Sequence, residues 1–177
     1  ELKEVIVDWI FQNYNWKIEK EWIVFANGVV PSLNIAVNAF TNPGDEVIIQ
    51  SPVYYPFYSA VQNNGAVLIN NELSQKNNRY SFDLAKLKKQ IRDTKRQSSR
   101  AKMLILCNPH NPVGRVWSET ELKELGQLCM ENDIKVISDE IHSDFTYSES
   151  QHTPFASISD EFAANSFTFM APSKSFN

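Results

Sequence analysis

Five short segments of this chain are apolar almost throughout, and that pattern constrains the fold more than anything else. They are Val47-Ile48-Ile49, Val67-Leu68-Ile69, Met103-Leu104-Ile105-Leu106-Cys107, Val136-Ile137-Ser138 and Phe167-Thr168-Phe169-Met170. Successive strand residues point to opposite faces, so a strand wetted on one side alternates apolar and polar. Strands without that alternation are covered on both faces, as in parallel sheets. Helical periodicity fills the intervals at 56–63, 83–92 and 118–131, the last opened by Ser118 with Glu121 three residues on, a capping box. Two helices are expected earlier. One spans 1–14, with Leu2, Val5, Ile6, Trp9 and Ile10 on one stripe; the other follows Gly28, with Pro31 in its first turn and Leu33, Ile35, Ala36, Val37 and Phe40 apolar. Trp22-Ile23-Val24-Phe25, ended by Asn27-Gly28, reads as a further buried strand, and Asn42-Pro43-Gly44-Asp45 as a turn. The alternation predicts an α/β fold of three layers, α/β/α, around a mostly parallel central sheet.

A chain of 177 residues makes one domain, able to bury about two-thirds of its unfolded surface. Its net charge of −4 leaves no basic footprint for nucleic acid. The local basic cluster from Lys86 to Arg100 is interrupted by Gln90, Asp93, Gln97, Ser98 and Ser99, and reads as a solvated helix face and loop. No apolar run approaches the ~20 residues that cross a bilayer. Cys107 and Cys129 have neither metal-ligand spacing nor the density of a disulfide scaffold. Both are expected as buried free thiols in a reducing compartment, which makes the cytoplasm the expected location.

In open parallel sheets, ligands sit beyond the carboxyl ends of the strands. Gly28, Ser51-Pro52-Val53-Tyr54, Asn108-Pro109-His110-Asn111-Pro112-Val113-Gly114, Ser138-Asp139-Glu140-Ile141-His142 and Ala171-Pro172-Ser173-Lys174 all fall at or just past such ends. Taken singly, each has an ordinary reading. A lysine near a chain end is usually a surface residue, an aspartate often caps a buried strand, and one glycine before a helix is unremarkable.

In this order and at these intervals, the motifs resemble the large domain of the class I/II aminotransferase superfamily, the fold-type I pyridoxal-phosphate enzymes. The Asn-Pro-His-Asn-Pro-Val-Gly-Arg run ending at Arg115 and the Ser-Asp-Glu-Ile-His run ending at His142 look most like its cystathionine β-lyase, or C–S lyase, branch. Family members run to roughly twice this length or more. The resemblance therefore implies that residues 1–177 are a partial large domain, with an N-terminal arm before it and a small C-terminal domain after it.

The resemblance implies roles for particular residues. Lys174 would carry pyridoxal 5'-phosphate as a Schiff base and act as the catalytic base, provided its amine is deprotonated, which burial and nearby positive charge favour. Asp139 would pair with the protonated pyridine nitrogen, and Asn111 would hydrogen-bond the phenolic oxygen. Tyr54 would stack on the ring, with Tyr55, Phe57 and Tyr58 as packing residues. Gly28, Val29 and Val30 would hold the phosphate at a helix N-terminus, with Ser173 alongside. His142 stands where many transaminases carry a tyrosine. It reads equally as a contact to the phenolic oxygen or as a strand-end histidine bonded to backbone. His110, Arg115 and His152 are typical of the branch and are expected to order loops. Ala171 replaces a serine or threonine that touches the phosphate in many relatives, and the family's phosphate and substrate-carboxylate arginines would lie past Asn177.

The implied activity is β-elimination from cystathionine or a cysteine S-conjugate, giving pyruvate, ammonia and a thiol, in a homodimer acting on a small amino acid. An aminotransferase shares the steps through Cα deprotonation. A non-catalytic module on the same fold is a further alternative, opposed by the presence of Lys174, Asp139 and Asn111 together.

Overall fold

The computed structural model describes residues 1–96, 100–147 and 149–176, with the side chains of 95 and 96 outside that description. Five strands form one sheet: β1 (Glu46–Ile49), β2 (Val67–Asn70), β5 (Ala101–Cys107), β6 (Lys135–Asp139) and β7 (Ser166–Phe169), in the order β2-β1-β5-β6-β7. Every pairing in it is parallel. β3 (Ser74–Lys76) and β4 (Arg79–Ser81) make a separate antiparallel hairpin.

Alternate residues of the strands feed two cores, one on each face of the sheet. Val47, Ile49, Met103, Ile105, Cys107 and Ile137 pack beneath α2 (Val29–Phe40) and α3 (Pro56–Asn63). Ile48, Leu104, Leu106 and Val136 pack beneath α4 (Leu84–Arg96) and α5 (Glu119–Met130), with Phe155 of the 3-10 turn Phe155–Ile158 and Phe162 of α6 (Asp160–Ala164). The expected three layers are therefore present, and the apolar strands lack alternation because both of their faces are covered. Ser118 and Glu121 form the capping box that opens α5, the serine side chain accepting from the Glu121 amide. Both cysteines are buried free thiols, as expected.

Gly126, in the middle of α5, shows how tightly the layers meet. A Cβ there would lie 2.0 Å from Cε1 of Phe162 and 2.8 Å from Cζ of Phe155. Helix propensity alone favours alanine by ~1 kcal/mol. The overlap with two aromatic rings reverses that sign, and Gly126→Ala is expected to destabilise by about 1–3 kcal/mol. The check is a lowered urea midpoint. An unchanged or raised midpoint would mean the rings move aside freely.

Three expectations fail. Trp22–Phe25 is not a strand: a 3-10 turn covers Lys20–Trp22, and Val24 is 86% exposed. No described strand pairs with this segment, and an apolar run without a ladder partner stays extended but unassigned. In α1 (Leu2–Tyr14) the apolar stripe does not face the core. Leu2 and Val5 are each 63% exposed, and Ile10 is the buried member. Tyr55 is not a packing residue but is exposed, whereas Phe57 is fully buried and Tyr58 packs against the core. The expected solvated face from Lys86 to Arg100 lies partly on residues 97–99, outside the described residues. Among the described residues, no helix is long and apolar enough to cross a membrane.

Candidate active site

The chain runs outward from β1 to β2 on one side and from β5 through β6 to β7 on the other. The order reverses between β1 and β5, and at such a switch point the loops diverge and leave a crevice beyond the strand ends. A cavity of about 230 Å³ lies there, lined by Val29, Val30, Tyr54, Cys107, Asn111, Asp139, Ile141, His142 and Lys174.

The loops that build it are pinned to one another. The Tyr54 amide donates to the Asn111 carbonyl at 3.1 Å, tying the loop after β1 to the loop after β5. The Asn111 amide donates to Cys107 Sγ at 3.3 Å. The Asn108 amide donates to the Asp139 carbonyl at 3.0 Å, and Asn108 Oδ1 accepts from the Trp117 amide at 3.2 Å. Behind this loop, His110 forms a β-bridge with Arg115 and sets its ring edge-on to Trp117. Arg115 lies over the same indole and pairs with Glu121. Burial pushes the His110 pKa down to about 4, with a backbone group of Gln50 opposing slightly, so the ring is neutral. His110 and Arg115 thus order the loop, in line with the role expected of them.

Asp139 ends β6 and is only 4% exposed. Its Oδ1 accepts from the Ile141 amide at 3.2 Å, and among the described residues no cation pairs with it. Burial raises its pKa to about 6; the Ile141 amide works against the shift and the Glu140 charge adds to it. A buried carboxylate in this condition lacks a positive partner. Cys107, beside it, is raised to about 12 by burial and by the Asp139 charge, against the Asn111 amide. It remains a thiol and a wall of the cavity.

Gly28 is the N-cap of α2 with φ of 114°, a conformation that side chains disfavour. It aims the first turn so that Val29 and Val30 line the cavity, where their amides have no partner within the helix. His142 is half-buried; burial first, and the Lys174 charge second, lower its pKa. Lys174 closes the 3-10 turn Pro172–Lys174 and is exposed at the cavity mouth, so this chain does not supply the burial expected for its amine. Ser173 is exposed too and is not part of the lining, because neighbouring side chains in a 3-10 turn diverge by about a third of a turn.

Four residues to which the sequence assigned no role at the site take part in it: Cys107 and Ile141 in the lining, and Ser138 and Glu140 behind it. Glu140 is fully buried. Its Oε1 accepts from Ser138 Oγ at 2.7 Å and the Phe155 amide at 2.9 Å, and its Oε2 lies 2.8 Å from His152 Nε2. Glu140 thus ties both His152 and the Phe155 amide to the end of β6, and a carboxylate next to Asp139 in sequence was the available signal for it.

Taken together, the cavity offers a buried carboxylate without a cation, a helix N-terminus, an aromatic side and an amine at its mouth. That set suits a flat heteroaromatic ring with a protonated nitrogen and an anionic tail. The family model described as aminotransferase class I and II matches residues 1–177. The chain belongs to that family. Cystathionine beta-lyase PatB of Bacillus subtilis is 47% identical over 175 residues, which are 99% of this chain and 44% of that protein. The crystal structure of cystalysin from Treponema denticola, which contains a pyridoxal 5'-phosphate cofactor, superposes with a TM-score of 0.93 at 42% identity, covering 99% of this chain and 43% of that one. The pyridoxal-phosphate-bound C–S lyase of Staphylococcus hominis gives 0.91 at 36% identity, over 98% of this chain and 43% of that one. The chain thus spans less than half the length of these family relatives.

Proposed function

We propose that the whole protein is a pyridoxal-phosphate-dependent C–S lyase that cleaves the Cβ–S bond of cystathionine or a cysteine S-conjugate. The observation that carries the cofactor assignment is Asp139, a buried carboxylate facing the cavity without a cation. A protonated pyridine nitrogen is such a cation, and its pairing would draw the Asp139 pKa back down. Asn111 would donate its amide to the phenolic oxygen, with His142 beside it, and Tyr54 would cover one face of the ring. The Val29 and Val30 amides at the start of α2 would receive the phosphate. Ser173 is the weakest member of the proposed set, since it stands outside the lining.

When bound, the cofactor supplies an electron sink for the charge left on Cα after deprotonation. Lys174 would hold it covalently in the resting enzyme, give way to the substrate amine, and then take the Cα proton. Asp139 would hold the ring nitrogen in its charged form. A substrate with sulfur on Cβ would lose its thiolate once Lys174 has taken the Cα proton, and the enamine set free would be hydrolysed by water to pyruvate and ammonia.

Likeness to cystathionine beta-lyase and C–S lyase proteins supports the lyase outcome, and the family description supports an aminotransferase as the second reading. Residues 1–177 are read as part of the large domain. The exposed Trp22, Phe25 and Tyr147 support an apolar interface in a homodimer, and the two buried thiols support a cytoplasmic location. Offered cystathionine with no keto acid, the whole protein is expected to release pyruvate, ammonia and homocysteine in equal amounts. Turnover that needs a keto acid and returns the matching amino acid would replace the lyase with the aminotransferase.

A further inference from the structure

We propose that Asp144 is a positioning residue that straps the Lys174 turn to helix α1. Its two carboxylate oxygens take hydroxyl donors from distant parts of the chain: Tyr14 Oη donates to Oδ1, and Ser175 Oγ donates to Oδ2. An ionised carboxylate only accepts and both hydroxyls can donate, so one side chain satisfies both partners with charge-assisted hydrogen bonds.

Each end of the strap is anchored. Tyr14 closes α1, and its ring sits edge-on to buried His152 with centroids 5.4 Å apart. Burial first, and then the Asp144 hydrogen bond, raise the phenol pKa above its usual value, with Ser143 opposing. The hydroxyl therefore stays a donor through neutral pH. At the other end, Phe176 meets Trp9 edge-on with centroids 5.3 Å apart, so the same helix holds the chain at Ser175, through Asp144, and directly at Phe176. Among the described residues, the turn has few other hydrogen bonds. The Ser175 and Phe176 amides both donate to the Pro172 carbonyl, at 3.0 and 2.8 Å, and Lys174 itself is exposed. A reacting group misplaced by about 1 Å can lose ~10²-fold in rate, so a flexible lysine stem gains from a fixed backbone.

The chemical importance of the strap rests on the reading of Lys174 above; the strap itself does not. The test uses the whole protein in two forms. In the cofactor-free form, Asp144→Ala is expected to speed hydrogen exchange of the Ser175 and Phe176 amides by about tenfold while the β5 and β6 amides keep their protection. Tyr14→Phe should produce part of that effect alone and add nothing to Asp144→Ala, because both act on one link. Asp144→Asn, which keeps one acceptor oxygen, should fall between Asp144→Ala and the wild type. In the second form, capture of added pyridoxal phosphate by Lys174, trapped with borohydride, should slow by about tenfold in Asp144→Ala. Unchanged exchange at Ser175 and Phe176, or a rise shared equally by β5 and β6, would overturn the strap. If the wild type forms no adduct on Lys174, the functional reading fails, and the exchange measurement still decides the strap.

Discussion

Replacing Lys174 with alanine in the whole protein is expected to lower turnover by at least about 10³-fold, the scale of losing a positioned general base. It should also end covalent retention of pyridoxal phosphate, because among the described residues no other lysine lines the cavity at the ends of β1, β5 and β6. Lys174→Arg sharpens the result. It keeps a positive charge near His142, where the Lys174 charge is already felt, but a guanidinium neither deprotonates nor forms the covalent link. Both variants are therefore expected to be equally inactive and to lose the adduct mass. Turnover retained in Lys174→Arg would mean that the residue supplies only charge, and the catalytic assignment would fall.

Asp139→Asn is expected to move stability and cofactor affinity in opposite directions. In the cofactor-free protein the Asp139 pKa is raised to about 6, so between about pH 4 and 6 the folded state holds a proton that the unfolded state has released. The stability from this group is fully present below the unfolded value, near 4, and is lost as pH rises through 6. A rise of about two pKa units corresponds to on the order of 2–3 kcal/mol. Asparagine removes that penalty, so the cofactor-free variant should be more stable than the wild type at pH 7 and nearly level with it at pH 4. The same substitution removes the anion offered to the ring nitrogen, weakening pyridoxal phosphate binding by about 1.5–3 kcal/mol, with a larger loss in turnover. Denaturant midpoints at the two pH values and a cofactor titration measure both effects. A variant less stable than wild type at pH 7 would show that Asp139 already has a partner within the fold.

Residues whose burial follows from strand pattern were readable before the structure. The unalternating runs at Val47–Ile49 and Met103–Cys107 implied a sheet covered on both faces, and the packing of Val47 and Ile48 on opposite sides of it realises that. The same logic failed at Trp22–Phe25, because apolarity marks what a segment could bury, not whether a neighbouring strand is present to pair with it. The cavity was readable as a set of strand ends, since parallel strands deliver all their carboxyl ends to one edge. Its contents were less so. Cys107 and Ile141 reached the lining through backbone position, and Ser173 missed it by the rotation of a 3-10 turn. The contact of Glu140 with His152 closes a 12-residue loop, those of Asp144 with Tyr14 and Ser175 join segments far apart in the chain, and no local pattern encodes them.

The amine at the mouth of this cavity is proposed to carry the cofactor, and every other role proposed for the cavity depends on it. The whole protein, loaded with pyridoxal 5'-phosphate, would be reduced with borohydride, digested and mapped by mass. A single pyridoxyl-modified peptide is expected, with the added mass on Lys174. An adduct on a different lysine, or no adduct at all, would contradict it.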